Sequence, residues 1–251
     1  MDTLIYPVGN TKACQYALKT LRQTDIRIID HPAPEVTHLL LDIPSFARDG
    51  SLRGGGDLAP LLRMLPTDIT VVGGNLQDPK LSQYRTLDLL ADPLYLAKNA
   101  AITAECTLRV AGSELETTFS ESPALIIGWG RIGKALARLL RALGAEVTVA
   151  TRKEDDRAML SALGYSQVST DGIPDLLPEI RLLVNTAPAK VLSRGQLSLC
   201  RSCVKIDLAS QPGLEGTDVI TARGLPGQYA PESSGKLIAE TILRLTKEVK
   251  S

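Results

Sequence analysis

The chain alternates short apolar runs with amphipathic stretches of helical period. Four apolar runs near its start predict buried strands, at residues 4–8, 26–29, 39–43 and 69–72. Residues 12–22 have the spacing of a helix, and Asp57 stands where a helix that runs to Met64 would be capped. Strands that alternate with helices in this way predict an α/β fold with a parallel sheet.

The second half of the chain continues this alternation. Five further strands of the buried type are predicted, at residues 124–127, 146–150, 182–185, 204–208 and 219–222. Between the two halves, Ile102, Cys106 and Val110 recur at helical spacing within residues 92–118, and Pro93 suits a first turn. One long helix should therefore connect the halves.

These elements predict a chain of four segments. Residues 1–92 form a smaller, flavodoxin-like α/β domain, and residues 93–119 form a connector helix. Residues 120–231 form a Rossmann-type doubly wound parallel sheet, and residues 232–251 a C-terminal helix. The regular part of that helix is predicted at 235–247, after three capping residues, Glu232, Ser233 and Ser234.

Composition excludes several classes of protein. The 251 residues carry 28 basic and 28 acidic side chains, and a net charge of zero gives no electrostatic basis for binding nucleic acid or an anionic membrane. Aromatic residues make up 4%, too few for base-stacking surfaces. No apolar run approaches the ~20 residues that span a bilayer, and the N-terminus lacks a signal-peptide pattern. We therefore expect a cytoplasmic protein.

The four cysteines do not form the pattern of a metal site. Cys200 and Cys203 make a lone CxxC, whereas a structural zinc site would need a second pair of ligands at suitable spacing. Cys14 and Cys106 lie far apart in the sequence. We expect reduced cysteines and no bound metal.

The strongest motif begins where the predicted strand 124–127 ends. Gly128-Trp-Gly130-Arg-Ile-Gly133 opens an amphipathic helix, as in dinucleotide-binding folds. Gly128 permits the tight turn, Gly130 leaves room for a pyrophosphate to approach the backbone, and Gly133 lets helix and strand pack closely. The N-terminus of the helix then offers unpaired N–H groups to the anion.

The end of the next strand favours NADP over NAD. NAD-binding versions of the fold carry an acidic residue there that binds the ribose 2′-hydroxyl, whereas this chain reads Ala150-Thr-Arg-Lys153. A hydroxyl and two cations suit a 2′-phosphate. Because Glu154, Asp155 and Asp156 follow directly, NAD stays open as an alternative cofactor.

Loops after the later strands complete the predicted cofactor site. In open α/β sheets, ligands lie beyond the carboxyl ends of the strands, where Asn185, Asp207 and Gly224 begin three loops. The predicted cofactor-binding residues are Gly128, Trp129, Gly130, Arg131, Ile132, Gly133, Thr151, Arg152, Lys153, Asn185, Thr186, Ala187, Pro188, Asp207, Leu208, Ala209, Leu225, Pro226 and Gly227.

The positions of the two histidines limit the reaction class. A dinucleotide domain beside a smaller α/β domain suggests hydride transfer, as in the 2-hydroxyacid dehydrogenases, whose acid/base histidine follows the glycine loop. Here His31 and His38 both precede Gly128, which excludes that catalytic machinery. Oxidation of a ring that becomes aromatic would make smaller demands on a base, because aromatisation supplies much of the driving force.

Several motifs together resemble one family. Asn185-Thr-Ala-Pro188 is similar to an NT-x-P segment, and Asn99 to Thr107 is similar to an N-x3-T-x-EG-T helix. Three further segments are similar to DLAS-x-PGG, PGLPG and AP-x-(T/S)-(A/S)-G motifs, namely Asp207-Leu-Ala-Ser-Gln-Pro-Gly213, Gly224-Leu-Pro-Gly227 and Ala230-Pro-Glu-Ser-Ser-Gly235. This combination, over residues 93–251, resembles the A subunit of dipicolinate synthase. The chain departs from the family pattern at Ile102, Cys106 and Ala222-Arg223, and its shorter first 92 residues match only loosely.

The resemblance implies an NAD(P)-dependent oxidoreductase of sporulation that converts a dihydrodipicolinate-type cyclic dicarboxylate to dipicolinate. It also implies a flavoprotein-like second subunit, and a last helix that packs back on the N-terminal domain. Related two-domain dehydrogenases are often dimeric, so we expect a homo-oligomer. The side chains expected to contact a dicarboxylate are Ser45, Arg48, Arg53, Asn99, Thr103 and Thr107.

Two carboxylates are the acid/base candidates by position, Glu105 and Asp207, with a role in orienting the backbone or a ribose as the alternative. Two other functions stay open. The segment Asn185-Thr-Ala-Pro188 also resembles the NTTP loop of shikimate-dehydrogenase-like reductases, although their Lys/Asp pair has no convincing counterpart. A short first domain is also compatible with a non-catalytic subunit that binds NADP.

Overall fold

The computed structural model describes residues 3–47 and 49–248. The chain divides into two compact units, of which the second comprises residues 100–225 and the first comprises the chain on either side of it. One boundary falls within a long helix, so the predicted connector, residues 93–119, is divided between the units. Each unit contains its own parallel sheet.

The described part of the first unit contains a five-stranded sheet in the order β2-β1-β3-β4-β5. Its strands are β1 (Leu4–Pro7), β2 (Arg27–Ile28), β3 (His38–Leu40), β4 (Thr70–Gly73) and β5 (Arg85–Asp88). All four pairings are parallel, and the central register sets Leu39 beside Tyr6 and Val71. This strand order is that of flavodoxin-like sheets.

The second unit contains a six-stranded parallel sheet in the order β11-β10-β9-β6-β7-β8. Its strands are β6 (Ala124–Ile127), β7 (Val147–Ala150), β8 (Ser166–Val168), β9 (Leu182–Asn185), β10 (Val204–Asp207) and β11 (Val219–Thr221). Read from β8, this is the Rossmann order, with the reversal of direction between β6 and β9. The predicted α/β class with two doubly wound parallel sheets is confirmed.

Helices connect the parallel strands, as a parallel sheet requires. They are α1 (Lys12–Leu21), α2 (Leu58–Arg63), α3 (Pro93–Glu114), α4 (Arg131–Ala142), α5 (Glu154–Ala162), α6 (Ile173–Leu176), α7 (Arg194–Leu197), α8 (Leu225–Tyr229) and α9 (Pro231–Glu248). The predicted cap of α2 is confirmed, because the Asp57 side chain accepts a hydrogen bond from the backbone N–H of Ala59.

The apolar pattern locates the buried strands and misses two at the edges of the sheets. The predicted bounds 124–127 and 182–185 coincide with β6 and β9, whose residues are all buried. The pattern does not predict β5 and β8, because their positions are mostly exposed or half-buried and they lack a continuous apolar run. It misses the polar helix α5, between β7 and β8, for the same reason.

Helix ends also differ from the predicted ones. α3 ends at Glu114, since Thr118 and Glu121 form a capping box that begins a separate 3-10 turn at residues 119–121. α9 begins at Pro231, where proline suits the first turn. Ser234, predicted as a cap, is therefore buried within the helix. The predicted loop around Pro226 is the short helix α8.

Close contact between α1 and α9 holds the last helix in the first unit. A side chain at Gly235 would lie 2.6 Å from the carbonyl oxygen of Ala13 and 2.8 Å from the amide nitrogen of Ala17, and would also meet the Cβ of Tyr16. Only a residue without a Cβ permits this approach. Ala17 is fully buried at the contact.

The replacement Gly235→Ala should destabilise the protein by about 1–2 kcal/mol, because overpacking against the α1 backbone outweighs the better helix propensity of alanine. Urea unfolding would measure this change. Gly195→Ala in α7 is the matched control, since no atom lies within 4 Å of the Cβ that this residue would carry. A Gly235→Ala protein as stable as the wild type would contradict the close-packing interpretation.

Candidate active site

The glycine loop between β6 and α4 has close contacts at two of its three glycines that a side chain would disturb. Gly128 has φ +102, and its Cβ would lie 2.6 Å from Thr186 Oγ1. A Cβ on Gly133 would collide with the carbonyl oxygen of Gly128. Gly130 differs from both, because nothing lies within 4 Å of the Cβ it would carry. The fold therefore requires the first and third glycines, whereas the second leaves open space at the N-cap of α4.

Thr186 fastens this loop to the neighbouring strand end. Its hydroxyl donates to the carbonyl oxygen of Ile127 at 2.9 Å, and its backbone N–H donates to the same oxygen at 2.8 Å. The sequence predicts that Thr186 binds cofactor, and the structure gives it a supporting contact with the loop backbone. A turn that is bonded at its base keeps the N-terminal N–H groups of α4 in fixed directions.

The side chains after Gly128 turn to other neighbours. Trp129 contacts Tyr165 edge to face, with 5.7 Å between ring centroids, and Lys134 Nζ lies 5.6 Å from the indole centroid. Arg131 is exposed and Ile132 half-buried at the start of α4. The loop backbone, more than these side chains, therefore faces the open space at Gly130.

A cavity of about 530 Å³ lies at the carboxyl edge of the second sheet; we refer to it as the strand-end cavity. Strand register explains the location, because Ile127 is paired with both Ala150 and Asn185 and the strands end together. The predicted cofactor residues that line it are Gly128, Thr151, Arg152, Lys153, Ala187 and Pro188. Its volume falls in the range of small-molecule sites.

Sequence reasoning missed a second group of cavity residues, namely Asp156, Thr170, Asp171, Ala189, Lys190, Val191 and Gln196. Asp156 lies in α5, and Thr170 and Asp171 follow β8, which are the two elements that the apolar pattern does not predict. Ala189, Lys190 and Val191 continue the loop after β9, and Gln196 lies in α7. Had the edge strand β8 been predicted, Thr170 and Asp171 would have been identified as residues that follow its carboxyl end.

Two adjacent cations line the cavity within residues 151–153, which we call the selectivity loop. Arg152 and Lys153 are exposed cations, while Thr151 is buried and its hydroxyl donates to Asp156 Oδ2 at 3.4 Å. On the far side, Lys190 Nζ lies 2.9 Å from Glu215 Oε1. This hydrogen bond raises the pKa of Lys190 above its ordinary value, so the group stays charged at neutral pH.

Asn185 and Asp207 form a buried network beside the cavity. Asn185 Nδ2 donates to Asp207 Oδ1 at 3.0 Å and to the carbonyl oxygen of Ala187 at 3.2 Å. In return, Asn185 Oδ1 accepts from the backbone N–H of Ala187 at 3.1 Å. Both side chains are buried. Asn185 thus shapes the loop that lines the cavity and does not itself line it.

The Asp207 carboxylate accepts hydrogen bonds from several buried donors. Besides Asn185, it accepts backbone N–H groups from Ala209 at 3.0 Å, from Gly213 at 2.7 Å and from Leu214 at 3.1 Å. Four donors occupy the lone pairs of an ionised carboxylate. These contacts favour the alternative role, in which Asp207 orients the loop backbone, and its role as an acid/base residue stays a prediction.

The remaining predicted cofactor residues lie outside the strand-end cavity. Leu208 and Ala209 belong to the loop that Asp207 holds, and Leu208 N donates to the Asn185 carbonyl at 2.9 Å. Leu225 and Pro226 are buried in α8, and Gly227 is half-buried. Direct contact of these five with a dinucleotide stays a prediction.

Two residues predicted to contact substrate, Ser45 and Arg53, form hydrogen bonds with backbone groups of the first unit. Ser45 is buried, its hydroxyl donates to the Asp42 carbonyl at 2.8 Å, and it accepts from Gly74 N at 3.0 Å. Arg53 is exposed, with Nε 3.4 Å from the carbonyl oxygen of Phe46. Arg48 lies outside the described residues. Ser45 thus closes the turn after β3, which argues against a role in binding substrate.

The candidates on α3 fall on both sides of the unit boundary. Asn99 is half-buried in the first unit, while Thr103 and Thr107 are buried in the second. The Thr107 hydroxyl donates to the Thr103 carbonyl at 2.8 Å, one turn back along the helix. Glu105 is exposed. Glu105 stays a predicted acid/base residue.

The cysteines form no disulfide bond. All four are free thiols, and Cys200 and Cys203 donate to the carbonyl oxygens of Ile180 and Val204. Interaction between these two thiols lowers the pKa of Cys200 and raises that of Cys203. Within residues 3–47 and 49–248, no group of three or more His, Cys, Asp or Glu side chains could hold a metal ion. No helix in that part of the chain is long and apolar enough to cross a bilayer.

Comparison with known proteins finds similarity to dinucleotide-binding dehydrogenases. Residues 100–199 match the NAD binding domain of the D-isomer specific 2-hydroxyacid dehydrogenases, and they contain no histidine. The chain is 30% identical over 162 residues to the A subunit of dipicolinate synthase from Bacillus subtilis (strain 168). That match covers 61% of this chain and 54% of the relative, so the chain spans about half the length of the curated relative it matches.

Solved structures show the same fold over nearly the whole chain. The A subunit of dipicolinate synthase from Bacillus halodurans superposes with a TM-score of 0.83 at 22% identity, covering 98% of each chain. The corresponding Bacillus subtilis structure gives 0.82 at 20% identity, over 100% of this chain and 97% of that one. The resemblance predicted from the motifs is confirmed, and the chain contains an NAD-binding domain.

The open space at Gly130 leads to a prediction that separates binding from folding. Gly130→Ala should fold with a stability within about 0.5 kcal/mol of the wild type, because it is a surface change without a clash. It should weaken dinucleotide binding at least roughly tenfold, since its methyl group occupies the space a pyrophosphate needs. Titration calorimetry and urea unfolding measure the two effects.

Gly133→Ala is the comparison variant, and its clash with Gly128 should lower stability as well as binding. Equal loss of stability in both variants, or full cofactor binding by Gly130→Ala, would contradict these separate roles of the glycines.

The buried hydrogen bonds of Asp207 lead to a second prediction. Asp207→Ala should lower the free energy of unfolding by about 3 kcal/mol, because several buried donors lose their acceptor together. Asp155→Ala, at an exposed carboxylate in the first turn of α5, is the control and should change stability by less than ~0.5 kcal/mol. Urea unfolding checks both. A stable Asp207→Ala protein would mean that the carboxylate is not structural.

Proposed function

We propose that this chain is an NAD(P)-dependent oxidoreductase with a preference for NADP. This proposal rests on the strand-end cavity, which is lined both by the glycine loop and by the selectivity loop with its two exposed cations. When bound, the nicotinamide would supply the hydride acceptor or donor. The backbone at Gly130 and the N-terminus of α4 would hold the pyrophosphate, and Thr151, Arg152 and Lys153 would hold the 2′-phosphate.

The charges on the cavity wall support NADP more than NAD. NAD-selective sites of this fold place a carboxylate at the end of the second strand, but the residues after β7 are a threonine, an arginine and a lysine. The nearest cavity-lining acid, Asp156, lies one helical turn later and accepts from Thr151. A dianionic 2′-phosphate would be attracted by the two cations of this loop, whereas the neutral 2′-hydroxyl of NAD gains little from them.

For the substrate, we propose a small cyclic dicarboxylate whose oxidation yields an aromatic ring. Similarity to the A subunit of dipicolinate synthase supports this class, and so does the matched domain without histidine. Asn99 and Glu105, both on α3, stay the predicted substrate-contact and acid/base residues. Because the curated relative is itself one subunit of its enzyme, we also propose that a second subunit takes part.

Cofactor preference can be measured with the chain's single tryptophan, which lies inside the glycine loop. Titration of Trp129 fluorescence with NADP and with NAD should give at least roughly tenfold tighter binding of NADP, about 1.4 kcal/mol. Arg152→Glu should remove this preference, because a carboxylate repels the 2′-phosphate and can accept from a ribose hydroxyl. Wild-type binding that favours NAD would overturn the proposed preference.

Asp156 provides a second, opposite test of the same site. Asp156→Asn should tighten NADP binding about two- to fivefold, because it removes the one cavity-lining carboxylate of α5. Asp155→Asn is matched to it in charge and helix turn but does not line the cavity, so it should change NADP binding by less than about twofold. Equal effects of the two variants would show that net charge alone is responsible.

Turnover tests the reaction itself. The purified chain, alone and with a candidate second subunit, is supplied with NADP and a freshly generated dihydrodipicolinate-type precursor. Formation of reduced nicotinamide together with dipicolinate supports the proposal. Tight NADP binding without turnover in either mixture would instead support a non-catalytic nucleotide-binding subunit.

A further inference from the structure

Arg157 connects α5 to the backbone of the selectivity loop. From one nitrogen, Nη1, it donates to the carbonyl oxygen of Thr151 at 3.0 Å and to that of Arg152 at 2.9 Å. It lies one helical turn after Lys153, whose carbonyl accepts the Arg157 backbone N–H at 3.2 Å. The side chain therefore turns back over the start of its own helix and holds the chain just after β7.

Arg157 does not line the strand-end cavity, whereas Arg152 and Lys153 do. The residue is half-buried and supports the loop backbone through its two carbonyl contacts without lining the cavity itself. A guanidinium is planar and charged at every physiological pH, so these two bonds persist across the range in which the protein would work.

The other contact that ties this loop to α5 is weaker. Thr151 Oγ1 and Asp156 Oδ2 are 3.4 Å apart, at the long end of hydrogen-bond distances. Adjacent residues of one helix thus act on the loop in opposite ways. Asp156 adds negative charge to the cavity wall, and Arg157 fixes the backbone that carries the cations.

We infer that Arg157 is a positioning residue for cofactor choice. Arg152 and Lys153 are long, exposed side chains, and ordering them around a phosphate costs conformational entropy. A backbone that is already fixed lowers this cost for NADP. NAD has no 2′-phosphate and gains nothing from ordered cations, so the effect of Arg157 is confined to NADP.

This inference rests on the proposed function, and the experiment separates the two. Dissociation constants for NADP and NAD are measured by Trp129 fluorescence for the wild type, Arg157→Ala, Arg157→Lys and Arg138→Ala. Arg138 is an exposed arginine on α4, so its replacement controls for the loss of one positive charge. Arg157→Ala should weaken NADP binding roughly tenfold and change NAD binding by less than about twofold.

Arg157→Lys keeps the charge and a donor, so it should recover part of the NADP affinity. It also provides a testable variant if Arg157→Ala does not fold. Equal weakening of NADP and NAD would indicate a merely structural role and overturn the inference. So would an effect of Arg138→Ala as large as that of Arg157→Ala.

Hydrogen exchange of the free protein gives a readout that does not depend on cofactor choice. Amides of residues 151–153 should exchange faster in Arg157→Ala than in the wild type, with no change at residues 124–127. If the wild type binds both dinucleotides equally, the proposed preference fails, and exchange alone then decides whether Arg157 orders the loop. A clear NADP preference with unchanged exchange in Arg157→Ala overturns the positioning role.

Discussion

The candidate site depends on one buried carboxylate. Asp207 stands at the carboxyl end of β10 and gathers donors from the loop that follows its own strand and from Asn185 at the end of β9. Asn185 in turn shapes the loop that lines the strand-end cavity. Without this acceptor, three buried backbone N–H groups of the loop after β10 would lose their partner at once, which a domain of marginal stability tolerates poorly.

The first unit uses the same device at two strand ends. Asp42 is buried after β3 and accepts from the backbone N–H groups of Asn10 and Thr11. Asp88 ends β5 and accepts from Asn75, Leu76 and Leu90 N–H groups. Loops at the carboxyl edge of a parallel sheet contain many unpaired donors, and one carboxylate satisfies several of them. An aspartate in this position is therefore better evidence for scaffolding than for catalysis.

In the proposed function, two neighbouring loops would divide the work of binding a dinucleotide. The glycine loop acts through its backbone, because Gly128 and Gly133 allow a tight turn and Gly130 leaves space beside the N-terminus of α4. The selectivity loop would act through the charges of Arg152 and Lys153, which line the strand-end cavity. Shape at the first loop and charge at the second can change separately. Cofactor preference can therefore shift while the fold is retained.

Sequence alone determined the features that depend on local pattern. Strands β6 and β9 are continuous apolar runs, and the glycine spacing has one common structural solution, so the Rossmann unit and its dinucleotide loop could be predicted. The cations after β7 could also be predicted, because they directly follow a strand that the local apolar pattern locates. Edge strands β5 and β8 could not, because half-exposed strands lack an apolar run. Only the tertiary structure decided what Asp207, Ser45 and Arg157 do, since a polar side chain's role depends on which distant backbone groups the fold brings within hydrogen-bond reach.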